Sequence, residues 1–171
     1  MTPSGTSDGR LAIVPGSFDP MTNGHVDIVL RSAQLFGRVT VAVLVNPEKT
    51  PLFTVAERVA MIREVFSAQA NVEADSFDGL LVEYARQRGA SAIVKGLRTV
   101  SDFEHEFQMA LMNRHLAPAL DTMFMMPAEQ YTYLSSRLTR DVFRLGGSVR
   151  GLVPPVVERW MHEKQAAALH T

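Results

Sequence analysis

The stretch Leu11-Ala12-Ile13-Val14-Pro15-Gly16-Ser17-Phe18-Asp19-Pro20-Met21-Thr22-Asn23-Gly24-His25 decides how this chain is read. It opens with an apolar run of strand type, with Ala12 to Val14 as the strand candidate. A turn bearing Gly and Pro follows. From His25, the apolar residues Val26, Val29, Ala33 and Phe36 recur at helical spacing, which predicts a helix from His25 to Phe36. Strand, glycine turn and helix start together suit an anion. The first N–H groups of a helix have no partner inside it, and the helix dipole favours negative charge there. His25 adds a side-chain donor at the same place. No Gly-Lys-Ser/Thr and no G-x-G-x-x-G follows the strand, so this is neither a P-loop nor a dinucleotide fingerprint. Local features leave a plainer reading open, with His25 a surface residue of the first turn and Thr22 an N-cap.

The alternation continues outward from this stretch. Val39 to Val45 is nearly all apolar, as in a parallel strand covered on both faces. Thr54-Val55-Ala56-Glu57 is a capping-box pattern opening a helix to about Ala68. Val72 to Phe77 and Ser91 to Val94 read as strands. Between them Leu80 to Arg88 reads as a helix closed by Gly89. Ser101-Asp102-Phe103-Glu104 is read as a second capping box, opening a helix to about Leu116. Thr122 to Met126 is a fifth strand before Pro127, and helices are expected over Ser135 to Leu145 and Pro154 to Leu169. Strands alternating with helices predict right-handed crossovers and a doubly wound, five-stranded parallel sheet with helices on both faces. Residues 10–171 are expected to form one domain, and residues 1–9 a disordered tail.

Composition narrows the function classes. The chain has 171 residues, 46% apolar and 20% charged, with a net charge of −1. That balance argues against a protein whose main work is coating nucleic acid, since such binding runs on phosphate neutralisation. There are no cysteines, which removes disulfides, thiolate zinc sites and thiol nucleophiles. No apolar run approaches a membrane span. No nucleic-acid or membrane partner and a cytoplasmic location are the resulting expectations. His105, His115, His162 and His170 lack the spacing of zinc ligands, so no protein-held metal site is expected. The methionines at 109, 112, 123, 125 and 126 read as core packing or an oligomer surface.

In a parallel sheet, ligands sit outside the carboxyl ends of the strands. Four strand-to-helix loops are therefore candidates: residues 15–25, 46–53, 95–101 and 127–136. The second carries Lys49 between Pro47 and Pro51. The third, Lys95-Gly96-Leu97-Arg98, flanks a glycine with two cations, and Arg98 offers a planar fork to phosphate. The fourth, Tyr131-Thr132-Tyr133-Leu134-Ser135-Ser136-Arg137, offers hydroxyls, a helix start and a cation. Solvated side chains and an ordinary serine cap are the competing explanation for each loop.

Taken together, these motifs resemble a known family. Gly16-Ser17-Phe18-Asp19-Pro20 with Thr22-Asn23-Gly24-His25 resembles the signature of the nucleotidyltransferases with an H-x-G-H-type motif. Pro47-Glu48-Lys49-x-Pro51-x-Phe53-Thr54, Glu57-Arg58, Lys95 to Arg98, Asp102-Phe103-Glu104-x-Glu106, Gln108-Met109-Ala110-x-Met112-Asn113 and the Ser135-Ser136 turn resemble the bacterial phosphopantetheine adenylyltransferase family. The resemblance runs from about residue 11 to residue 162. It implies a Rossmann-like fold and adenylyl transfer from ATP to 4′-phosphopantetheine. Dephospho-coenzyme A and pyrophosphate would be the products, with Mg²⁺ as cofactor, a homohexamer, and feedback by coenzyme A as a possibility.

By the same resemblance, His25, Lys49 and Arg98 are catalytic. Ser17, Lys49, Leu81 and Lys95 would hold phosphopantetheine. Ser17, Phe18, His25, Gly96, Leu97, Arg98, Glu106 and Tyr131 to Arg137 (Tyr131, Thr132, Tyr133, Leu134, Ser135, Ser136, Arg137) would hold ATP. Mg²⁺ would ride mainly on the ATP phosphates. Bound phosphates would favour a proton on His25, whose ordinary pKa is near 6.5. The chain departs from the family pattern at Lys95, where arginine is frequent, at His105, where tyrosine is common, and at Arg137, where a third serine is typical. Two rivals stand beside this reading: another superfamily enzyme that shares the first loop, such as a nicotinamide mononucleotide adenylyltransferase or a cytidylyltransferase, and a catalytically silent nucleotide-binding protein on the same fold.

Overall fold

The computed structural model describes residues 9–46 and 50–169. The expectation for residues 1–8 of the tail, and those for Pro47, Glu48 and Lys49, fall outside the described residues. Five parallel strands form one sheet: β1 (Leu11–Gly16), β2 (Arg38–Leu44), β3 (Val72–Phe77), β4 (Ala92–Gly96) and β5 (Asp121–Met125). Their order is β3-β2-β1-β4-β5. The helices are α1 (Asn23–Leu35), α2 (Val55–Val65), α3 (Leu81–Gln87), α4 (Val100–Leu116), α5 (Ser136–Arg144) and α6 (Pro155–Leu169), with a short 3₁₀ turn at Glu129–Tyr131.

The central strands β1, β2 and β4 are buried on both faces over most of their length, as their apolar sequence requires, while the edge strands β3 and β5 are only partly buried. Alternate residues point to opposite sides. Ala12, Val14, Val39, Val41, Val43, Ala92 and Val94 face one cluster, which Ile28 and Val29 of α1, Met61 and Ile62 of α2, Phe143 of α5, and Val157 and Met161 of α6 complete. Leu11, Ile13, Ala42 and Ile93 face the other, closed by Val82 and Ala85 of α3 and by Leu120.

Strand order reverses direction at β1, since the chain grows outward to β2 and β3 and then returns to β4 and β5. The crevice between β1 and β4 is therefore the topological switch point, where such sheets take ligands. The ladder between these two strands is short, pairing Ala12 with Ala92 and Ile13 with Ile93.

Two local expectations are corrected. The first helix begins at Asn23, not His25, because Thr22 caps it. The helix after β4 begins at Val100, and its cap is Thr99, whose side chain accepts the Asp102 N–H at 3.2 Å. Thr99 already has extended backbone (φ −136°, ψ 164°), which an N-cap needs, while Ser101 lies inside the helix. The Thr54 box is present as read, with Thr54 and Glu57 each accepting the other's backbone N–H.

β1 ends on Gly16 for a steric reason. A Cβ there would lie 2.9 Å from the Phe18 ring, which folds back over it. Gly16→Ala should therefore cost about 1–3 kcal/mol, the usual range for overpacking a filled site. A urea-unfolding midpoint unchanged from wild type would show instead that Phe18 swings away freely.

Candidate active site

The first loop is built around a buried carboxylate. Asp19 accepts N–H bonds from Leu52 and Phe53, both at 2.9 Å. Arg140 of α5 donates to the Asp19 carbonyl and lies 3.4 Å from its carboxylate. Buried Arg58 of α2 donates to the Ser17 carbonyl at 2.7 Å and to the Thr54 carbonyl at 3.4 Å. Burial lowers the pKa of Arg58, and the Asp19 charge opposes that shift. Between these fixed points Phe18 takes a left-handed backbone (φ 48°), and the Asp19–Pro20 peptide is cis. The Phe18 ring is buried and meets the His25 ring edge-on, with centroids 5.2 Å apart.

His25 lies in the first turn of α1. Its Nδ1 accepts the backbone N–H of Thr22 at 3.0 Å and lies 3.1 Å from the Thr22 hydroxyl. A backbone N–H can only donate, so Nδ1 keeps its lone pair and Nε2 carries the ring proton. Desolvation of the ring, and then the charge of Arg98, bring its pKa down from 6.5 to about 4. In the ligand-free protein His25 is thus a neutral donor. Bound phosphate would have to overcome both effects, and the loss of the Thr22 bond, to protonate it.

Two more strand ends meet this ring. His25, Lys95, Gly96, Arg98 and Glu106 line one cavity of about 130 Å³, with Phe18, Tyr131 and Leu134 on its other walls. A neighbouring hollow of about 380 Å³ shares His25, Gly96, Arg98 and Glu106 and adds Ser17, Ser135 and Ser136. The cations are already engaged. Lys95 Nζ is 3.2 Å from Glu106, and Arg98 Nε is 3.3 Å from Asp102. Arg98 also donates to the Leu134 carbonyl at 2.7 Å, which ties the third loop to the fourth. Ser135 caps α5 through the Leu138 N–H, and the Ser136 hydroxyl donates to the Pro20 carbonyl at 2.7 Å.

The structure thus gathers Ser17, Phe18, His25, Lys95, Gly96, Arg98, Glu106, Tyr131, Leu134, Ser135 and Ser136 at the switch point. Arg137 lines an adjoining hollow with Ser17 and Ser136. Leu81, at the start of α3, packs against the second core cluster and does not line the cavities around His25. Leu97 donates its N–H to Met125, Thr132 bonds to Glu129, and Tyr133 is exposed; none of the three lines these cavities. Arg140 escapes sequence reasoning, while Asp19 and Arg58 read only as motif residues and Thr22 only as an N-cap, a role the structure confirms. The Glu57-Arg58 pair within the second motif was the available signal for Arg58.

A Cytidylyltransferase-like family model matches residues 13–142. The phosphopantetheine adenylyltransferase of Alkaliphilus metalliredigens is 51% identical over 155 residues, covering 91% of this chain and 99% of that protein. That of Caldanaerobacter subterraneus subsp. tengcongensis is 54% identical, covering 91% and 97%. Among solved structures, a bifunctional NMN adenylyltransferase/ADP ribose pyrophosphatase from Francisella tularensis superposes with a TM-score of 0.67 at 12% identity, over 90% of this chain and 49% of that one. A putative nicotinate-nucleotide adenylyltransferase from Vibrio parahaemolyticus superposes at 0.63 with 16% identity, over 89% and 97%. These two structures show the fold alone.

The state of His25 makes a thermodynamic prediction. The unfolded chain binds its proton below about pH 6.5, whereas the folded chain stays neutral down to about pH 4. Between those values the unfolded state holds the extra proton, so stability falls as pH falls. The slope from this group is at most about 1.4 kcal/mol per pH unit. Denaturant unfolding at pH 7 and pH 5 should show a larger loss for wild type than for His25→Gln, which does not titrate. Equal losses would mean that His25 titrates normally in the folded protein.

Proposed function

The chain belongs to the phosphopantetheine adenylyltransferase family, within the cytidylyltransferase-like proteins, and from that membership we propose that it transfers the adenylyl group of ATP to 4′-phosphopantetheine. The products are dephospho-coenzyme A and pyrophosphate. One observation carries the reading at the level of the site: His25, Lys95, Arg98 and Glu106 converge on one cavity at the β1–β4 crevice.

The chemistry asks little of a base. A phosphate oxygen of 4′-phosphopantetheine, already anionic, attacks the α-phosphorus of ATP, and the bond to the β-phosphate oxygen breaks. Catalysis is then positioning and charge stabilisation. His25 Nε2–H is a fixed donor for the α-phosphate oxygens, whose charge grows in the transition state. Lys95 steadies the attacking phosphate by exchanging Glu106 for it. Arg98, braced on Asp102 and Leu134, holds the nucleotide phosphates. The family resemblance would add Lys49, which lies outside the described residues, as a further cation for the attacking phosphate.

Mg²⁺ belongs to this reading as the partner of the ATP phosphates. Among the described residues no group of three or more His, Asp or Glu side chains is placed to hold a metal. The cleft instead offers cations, with its two carboxylates engaged by Lys95 and Arg98. That donor set suits an ion delivered on phosphate oxygens, which Mg²⁺ with its retained waters favours. It would supply charge neutralisation on the triphosphate.

A homohexamer is part of the same proposal. Phe103, Phe107, Leu111, Met112 and Leu116 of α4 are exposed, and Met123 and Met126 lie exposed on and just beyond β5. An apolar face of this kind on one element is what subunit contact would cover. ATP as substrate makes the cytoplasm the proposed location. No helix among the described residues is long and apolar enough to cross a membrane. Coenzyme A shares the phosphopantetheine moiety of the product, so competition by it at this site is the natural form of feedback.

With ATP and Mg²⁺, the protein should release pyrophosphate when given 4′-phosphopantetheine and not when given nicotinamide mononucleotide. Release with the mononucleotide alone would move the chain to the rival enzyme class. No release with either would leave the silent nucleotide-binding protein. Within the active enzyme, His25→Ala should lower kcat by about 10²–10³-fold, the scale of one lost oxyanion donor. The KM for ATP should move only a few-fold, and equal losses in both would assign His25 to substrate binding alone.

A further inference from the structure

The segment from β5 to the 3₁₀ turn at Glu129–Tyr131 forms one wall of the His25 cavity, to which it contributes Pro127 and Tyr131. The sheet holds this segment as far as Met125, whose carbonyl accepts the Leu97 N–H at 3.0 Å. Pro127 has no N–H with which to continue a ladder. Two side chains of α1 take over. Arg31 donates to the Met126 carbonyl at 2.6 Å, and Asp27 accepts the Ala128 N–H at 2.9 Å. The two are bridged to each other, with Arg31 Nη1 3.2 Å from Asp27 Oδ2. Pro127 is thereby held through its neighbours on both sides. Ala128 in turn opens the 3₁₀ turn, its carbonyl accepting the Tyr131 N–H at 2.8 Å.

An ion pair one turn apart on a helix surface ordinarily contributes little. This pair differs in where its hydrogen bonds go. Both side chains reach main-chain atoms of a distant loop, and the Asp27 side chain is only 19% exposed. They reach it from the helix that carries His25 in its first turn. Gly24 adds a contact between the same two elements, since a Cβ there would lie 3.5 Å from the Tyr131 Cβ, an ordinary packing distance. One helix therefore carries both the His25 ring and the anchors of the Pro127–Tyr131 wall.

Resting on the adenylyl-transfer reading, we propose that Asp27 is a positioning residue for ATP, holding with Arg31 the Pro127–Tyr131 wall at a fixed offset from His25. Asp27 does not itself line the cavity. It acts through Ala128, and through the turn that Ala128 opens on Tyr131. The wall meets the nucleotide before and during transfer alike, so its placement bears equally on ground state and transition state. Uniform binding of that kind is read in KM and leaves kcat alone.

The test is Asp27→Ala beside Asp27→Asn, with steady-state kinetics for both substrates and a calorimetric titration of Mg²⁺-ATP alone. Asp27→Ala should raise the KM and the Kd for ATP by about three- to tenfold, the scale of one typical hydrogen bond. Its kcat should stay within about twofold of wild type, and the KM for 4′-phosphopantetheine should not move. Asp27→Asn keeps an oxygen for the Ala128 N–H and should recover most of the ATP affinity. A merely structural role would lower the unfolding midpoint of Asp27→Ala and leave both KM values at wild type; that result overturns the proposal. A loss confined to kcat, or an equal rise in both KM values, overturns it too. Should Asp27→Ala fail to fold, Arg31→Ala decides. It frees the Met126 carbonyl and should raise the ATP KM by about threefold, and an unchanged value overturns the proposal. Absence of pyrophosphate release by wild type would instead overturn the adenylyl-transfer reading, and the ATP titration would still judge the role of Asp27.

Discussion

Asp19 is a buried anion, and a buried anion must be compensated where it sits. Its oxygens take two backbone N–H groups from Leu52 and Phe53, and Arg140 reaches it from α5. Arg58 stands close enough to feel its charge while fastening the Ser17 carbonyl. One carboxylate thereby ties together the first loop, the entry to α2 and the start of the fourth-loop helix. With Asp19 held, Phe18 accepts its left-handed backbone, its ring covers Gly16, and its edge packs on His25. The reactive surface of the first loop is shaped from below by these contacts. Breaking such an arrangement on one side leaves the other side charged and unpaired, which is why single partners in it are costly to remove.

The same restraint governs the cations of the cleft. Lys95 rests on Glu106 and Arg98 on Asp102, so neither is a bare charge in the ligand-free protein. On the proposed reading, a phosphate entering the cleft would exchange carboxylate for phosphate at Lys95 and join an arginine that is already oriented. Little side-chain order has to be created at that moment, and ordering side chains is a main cost of binding. α1 braces the remaining wall. Asp27 accepts the Ala128 N–H at 2.9 Å, and Arg31 donates to the Met126 carbonyl at 2.6 Å, so the segment after β5 is pinned to the helix that carries His25.

The strands and helices were legible because nearly all of them bury an apolar face of the right period. The Thr54-to-Glu57 box could be read because both partners lie within one turn. The box at Ser101 could not be placed to the residue, since Thr99 and Ser101 are both capping types and only backbone shape separates them. Among site residues, His25, Lys95, Arg98, Ser135 and Ser136 could be found because they lie in or beside the strand-to-helix loops, whereas Glu106, inside α4, could be reached only through the family resemblance. Asp19, Arg58 and Arg140 could be quoted as motif residues or passed over, but their work was hidden. Their partners are main-chain atoms far away in sequence, and a main-chain atom leaves no mark on residue type. The exposed apolar face of α4 was hidden for a related reason, because Phe103, Phe107 and Leu111 read alike whether the core or a neighbour covers them.

The short ladder between β1 and β4 has a spatial meaning. The strands are joined at Ala12–Ala92 and Ile13–Ile93, while each runs on for three residues beyond. Past the join the two chains lead separately, β1 towards the loop that ends in His25 and β4 through Lys95, and the room between them is the cleft. Two of the four joined residues are alanines, fully or almost fully buried. Backbone hydrogen bonding at the join sets the spacing of the two strands, and the cleft opens two residues further on, at Lys95.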